Sequence, residues 1–188
     1  MNVSLKDLLS EKKPDILNIW FDEIIDTYPA DTSLFLKKQK NRFHNPVGHA
    51  ILHGTGEIFD KLLEGYASGR GTGAEEIAPF LDNIIRVRAV QDFTASRAVG
   101  FVFALKKAVR SVLESSVRES GDIRAELEKF DSMVDGLALA AFDIYMQCRE
   151  KIYALRAEEI EKRTFRLLQQ ANLICEVDEE KKDLDRGE

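Results

Sequence analysis

The chain is poor in the residues that punctuate or cross-link folds. Four prolines and two cysteines occur among 188 residues, with three histidines and one tryptophan. Few stretches alternate Val, Ile or Thr with polar residues, so scarce proline points to helix nearly throughout. Cys148 and Cys175 stand 27 positions apart in helical sequence. Along one straight helix that is roughly 40 Å, so they cannot pair within it, and reduced thiols are expected. Long basic runs are also missing. Lys37-Lys38-Gln39-Lys40 is the densest, one helical turn that reads as a solvated face, while the net charge is −6 and the pI about 5.3. Without clustered cations an acidic chain grips phosphate backbones poorly, so no nucleic-acid partner is expected. No apolar run reaches the ~20 residues that span a bilayer. The opening MNVSLKDLLSEKK lacks the ordered regions of a signal peptide. A cytoplasmic protein is expected.

What is present suits one helical core, since 44% of the residues are hydrophobic. Ser4 with Asp7 forms a capping pair before Leu5, Leu8 and Leu9. Pro14 kinks or restarts the helix, and Ile16, Leu17, Ile19, Trp20, Ile24 and Ile25 continue its stripe toward Tyr28-Pro29. A short helix over 32–39 follows. Asn45-Pro46 is a start signal, because Asn caps and Pro at the first position loses no internal bond. That helix is predicted to end near Glu64, with Gly65 as its cap. Gly48, Gly54 and Gly56 inside it suggest close approach of another helix or of a ligand. YASGRGTG at 66–73 reads as a loop; lacking a preceding strand and a following GK[ST], it is no phosphate cradle. Helices over 74–92 and, capped by Thr94, over 94–117 come next. The all-apolar segment Val99–Leu105 in the latter is predicted to be the most buried piece.

A last helix over 123–174 is expected, with Asp131 or Gly136 as the point of any interruption. From Ala141 its apolar register runs Tyr145, Cys148, Ile152, Leu155, Ile160, Thr164, Leu167, Ala171 and Ile174, in steps of four and three with one skip of five. Ile152, Leu155, Ile160, Leu167, Ala171 and Ile174 form the expected dimer seam, provided the segment projects past the core instead of folding back onto it. The organisation expected is a helical bundle over 1–150, a helical extension over 151–175 and a charged, disordered tail over 176–188.

Candidate chemistry is sparse. His49, His53 and Glu57 share a helix face at i, i+4 and i+8, with His44 close by in the turn. They offer a metal face, and Cys148 a redox partner; packed or partly exposed histidines are the opposing reading. The helix count suggests a globin-like bundle of about six helices, which raises haem. The helix expected to face His49 and His53, over 74–93, has no His, Cys, Met, Tyr or Lys to ligate iron, so no cofactor is expected. No sequence context supports a Ser or Cys nucleophile, and no enzyme is expected. Arg42, Asn45, His49, Arg86, Arg88 and Gln91 stand where buried segments begin. Buried polar groups need partners, so these residues either bond within the core or form the polar wall of a small-ligand pocket. Arg88 pairs with Asp92 at i, i+4, or Arg86 or Arg88 binds a carboxylate or phosphate.

RFHNPVG at 42–48 and IRVRAVQDFTASRAVGFVF at 85–103 carry a family likeness. They resemble the N-terminal domains of RsbR- and RsbRD-type co-antagonists, and the similarity covers most of 21–168. The resemblance implies an all-α, globin-like, haem-less sensory bundle, often dimeric, whose last helix leads into a STAS output domain of the stressosome. No STAS domain is expected in this chain. A homodimer that senses a small ligand or signals through a separate partner protein is therefore expected. The rival expectation is a metal- or redox-associated accessory protein using His44, His49 and His53.

Overall fold

Three helix starts follow from side chains that take up backbone donors lacking an intrahelical partner. A computed structural model describes residues 4–38, 43–71, 74–91, 93–171 and 173. Ser4 and Asp7 form a reciprocal capping box at the head of α1 (Leu5–Glu11). Pro14 sits in the first turn of α2 (Lys13–Ile25), where its missing N–H is harmless. After α3 (Ala30–Lys38), Asn45 caps α4 (Pro46–Ser68), and its Oδ1 accepts from the Gly48 N–H at 2.8 Å. Beyond α5 (Ala74–Val90), Thr94 caps α6 (Ala95–Val99). α7 (Phe101–Val112), α8 (Glu114–Glu119) and α9 (Gly121–Gln170) complete an architecture that is all-α among the described residues.

Several boundaries differ from the sequence expectation. α4 runs past Gly65 and is capped by Gly69, whose φ of 67° is the left-handed conformation that glycine adopts freely. Gly65 is instead buried inside the helix, and the next residue, Tyr66, packs edge-on against Phe130. The helix expected over 94–117 is three segments, divided at Gly100 and Leu113. At Gly100 the turn is tight: an added Cβ would lie 2.7 Å from the Ser96 carbonyl oxygen. Val99–Leu105 is not buried all round, because Phe103 is 49% exposed. The long last helix has no interruption at Asp131 or Gly136. An interior glycine costs up to ~1 kcal/mol, which the buried neighbours Val134, Leu137 and Ala138 outweigh. These divisions turn about six expected helices into nine segments among the described residues.

The chain divides into two compact units, Met1–Arg149 and Glu150–Glu188. In the first, α2 packs on α7 and α4, and α4 on α5. Gly54 lets α4 approach α5: a Cβ there would meet Ile84 at 3.0 Å, which supports the close-approach reading, whereas Gly56 has open space. α9 contributes Ile123, Leu127, Phe130, Val134, Leu137, Ala141 and Tyr145 to the core. The Glu126 carboxylate accepts from the Leu5 N–H at 2.8 Å, and the buried Trp20 indole N–H donates to the Phe101 carbonyl at 2.7 Å. In the second unit the helix continues with Tyr153, Leu155, Ile160, Phe165 and Leu167 exposed. Among the described residues no helix is long and apolar enough to cross a membrane. The charged tail over 176–188 lies outside the described residues.

Candidate functional site

The buried face of α5 is built from Ile77, Leu81, Ile84 and Ile85. Helical periodicity carries that face on to position 88, so the Arg88 side chain is drawn into the bundle and is 0% exposed. Its guanidinium lies among three rings, with centroids at 4.6 Å (Phe93), 5.4 Å (Tyr28) and 5.6 Å (Phe101). Cation–π attraction offsets part of the desolvation. Nη2 donates to Thr27 Oγ1 at 2.6 Å and to the Arg97 carbonyl at 3.1 Å. Among the described residues Nε and Nη1 have no hydrogen-bond partner, and neither has the buried Tyr28 hydroxyl. Among the described residues no carboxylate pairs with Arg88. Burial lowers its pKa; Tyr28 opposes that shift and Arg97 adds to it. Burial raises the Tyr28 pKa, against a smaller pull from Arg88, so the phenol keeps its proton at neutral pH.

In front of this cation lies a cleft of about 380 Å³, lined by Thr27, Tyr28, Pro29, Thr32, Gln91, Phe93, Thr94 and Arg97. The walls are held by local bonds. The Phe93 N–H donates back to the Arg88 carbonyl at 3.2 Å. The Tyr145 hydroxyl donates to the Phe93 carbonyl at 2.6 Å, and Arg97 Nη2 to the Thr27 carbonyl at 2.7 Å. Tyr28 and Phe93 meet edge-to-face at 5.2 Å. Among the described residues no lining residue is acidic, although the chain as a whole carries a net charge of −6.

The six residues expected to form a polar wall have different fates. Arg88 is buried behind the cleft, and Gln91 lines it. Asn45 is buried, but its side chain serves the chain itself, donating to the Leu36 carbonyl and capping α4. His49 is half-buried and does not line the cleft. Arg86 faces solvent and forks onto Asp82 at 2.8–3.1 Å. Arg42, and Asp92 as the expected partner of Arg88, lie outside the described residues. Sequence reasoning missed Thr27, Tyr28, Phe93 and Arg97. Tyr28-Pro29 read only as a helix end, and nothing local shows that this turn meets the segment after α5.

The metal face finds no support among the described residues. His49 and His53 stack with ring centroids 6.2 Å apart, and His53 Nε2 lies 3.8 Å from a Glu57 oxygen, so the three share a face as expected. Yet no group of three His, Cys, Asp or Glu among the described residues could hold an ion. Side chains at i and i+8 on a straight helix are about 12 Å apart along the axis, too far to converge without ligands from a second element. His44 is exposed in the preceding turn.

What the arrangement offers is hydrogen-bond donation from a buried cation and a phenol, beside an open cleft. A model of the family described as RsbT co-antagonist protein rsbRD N-terminal domain matches residues 14–160. No curated protein and no solved structure matches the chain.

Proposed function

The chain belongs to the RsbRD N-terminal domain family, and from that membership we propose that it is a non-enzymatic, cytoplasmic sensory module of stress signalling that acts by binding. It pairs with itself and passes its state to a separate signalling protein. The observation that supports this reading lies in the second unit, where Tyr153, Ile160 and Leu167 are 56%, 65% and 59% exposed. They are spaced by sevens, so they recur on one side of the helix. Burying such a side chain fully is worth ~1.5–3 kcal/mol, so a stripe of them in water favours a partner. A second copy offers the same stripe in register. Charges of both signs flank it, with Lys162 paired to Glu158 at 2.5 Å. Within the seam expected from sequence, Leu155, Ile160, Leu167 and Ala171 are exposed and Ile152 is half-buried, while Ile174 lies outside the described residues.

Sedimentation equilibrium at tens of micromolar tests the pairing. The wild-type chain is expected as a dimer. Leu167→Glu is expected as a monomer with its helical circular dichroism retained. A monomeric wild type contradicts the proposal.

A further inference from the structure

Among the described residues, four buried side-chain polar atoms lack a hydrogen-bond partner, and three of them belong to Tyr28 and Arg88. Such atoms cost about 1–3 kcal/mol each, and more when charged, so native structures rarely gather them in one place without use. Here they gather beside a cleft whose size suits a small molecule. Tyr28 and Phe93 form part of its wall, and the Arg88 guanidinium packs on both rings. Arg88 does not itself line the cleft, so admitting a ligand to the guanidinium requires the wall formed by Tyr28 and Phe93 to move, and Phe93 is only half-buried. A second cation, Arg97, lines the cleft, where its side chain is held by its bond to the Thr27 carbonyl.

We propose that this cleft is a receptor site for a small oxyanion, a carboxylate or a phosphate, that accepts from the unpartnered donors of Arg88 and Tyr28 and is drawn in by Arg97. The chemistry of the donors selects the ligand. The three N–H bonds on Nε and Nη1 can only donate, and the phenolic O–H of Tyr28 donates as long as it keeps its proton, so their shared complement is a group rich in acceptors and negatively charged. A cation would be repelled by two arginines. A neutral apolar molecule would leave the donors as they are. Binding would also tie together the turn after α2, the end of α5 and the start of α6, three segments that otherwise meet through a few bonds. That gives a sensory module a state to report.

The inference rests on reading the chain as a sensory module, but the two fail separately: loss of dimerisation leaves the anion site standing, and an empty anion site leaves the dimer standing. The test is isothermal titration of the full chain with sodium acetate and, separately, with inorganic phosphate, at ionic strength fixed by chloride. Saturable one-to-one binding of at least one is expected, and which of the two binds identifies the source. Tyr28→Phe should weaken binding about tenfold, the loss of one hydrogen bond to a charged group. Arg88→Met should abolish it, and Arg97→Gln should weaken it and flatten its salt dependence. Should Arg88→Met fail to fold, Tyr28→Phe decides, because its hydroxyl holds no other part of the structure. Absence of saturable binding for both anions, as ordered water at the donors would give, overturns the proposal. So does equal affinity in wild type and Tyr28→Phe.

Discussion

The head of α4 and the end of α5 each bury a polar side chain, and they treat it in opposite ways. Asn45 is 2% exposed and spends its amide within its own neighbourhood: Nδ2 on the Leu36 carbonyl, Oδ1 on the Gly48 N–H. Arg88 is 0% exposed, reaches across to Thr27 and Arg97, and still has two nitrogens without acceptors. The first arrangement uses burial to fix a helix start. The second keeps a cation out of water without using its full donor capacity. Burial alone therefore does not tell a satisfied polar group from an unsatisfied one; the balance of donors against acceptors does.

Among substitutions at these two positions, the largest effect should fall on Asn45. Asn45→Leu removes a cap and leaves the Leu36 carbonyl and the Gly48 N–H unpaired, so a loss of about 2–4 kcal/mol is expected in urea unfolding. Arg88→Met should behave differently. Replacing a buried, incompletely paired charge by an apolar side chain is often neutral or stabilising. Its stability should lie within about 1–2 kcal/mol of wild type, on either side, since the Thr27 and Arg97 acceptors lose a donor. A loss as large as that of Asn45→Leu would mean that Arg88 is as structural as Asn45.

Tyr28→Phe removes a hydroxyl that has no partner, so stability should hold within about 0.5 kcal/mol or rise slightly. Arg86→Ala, two positions from Arg88, breaks a surface pair whose arginine side chain is 60% exposed. Thermal unfolding should register less than about 1 kcal/mol for it.

Much of the fold was legible because it depends on local signals. Ser4 with Asp7, Asn45-Pro46 and Thr94 each announce a helix start through residues within one turn, and each start is where the sequence puts it. Helix ends and breaks were less legible. Gly65 looked like a cap, but packing carries α4 on to Gly69. The break at Gly100 fell within a segment whose apolar composition read as uninterrupted helix. Of the site, Arg88 and Gln91 could be singled out as polar residues at the edge of a buried run. Tyr28 and Arg97 could not, because their relation to Arg88 depends on how the turn after α2 meets the segment after α5. That is a tertiary contact across 61 residues in the case of Thr27, and no periodicity encodes it.

Whether Arg88 holds donors in reserve for an anion can be read at the guanidinium itself. In a ¹H–¹⁵N spectrum of the arginine side chains, the Arg88 Nε–H resonance is identified by its loss in Arg88→Met. A buried Nε–H should exchange slowly with water and give a sharp signal. On titration with the anion that binds, it should shift progressively and saturate at one equivalent site, while the Arg86 resonance stays in place. An Arg88 signal that does not move under either acetate or phosphate would contradict the account.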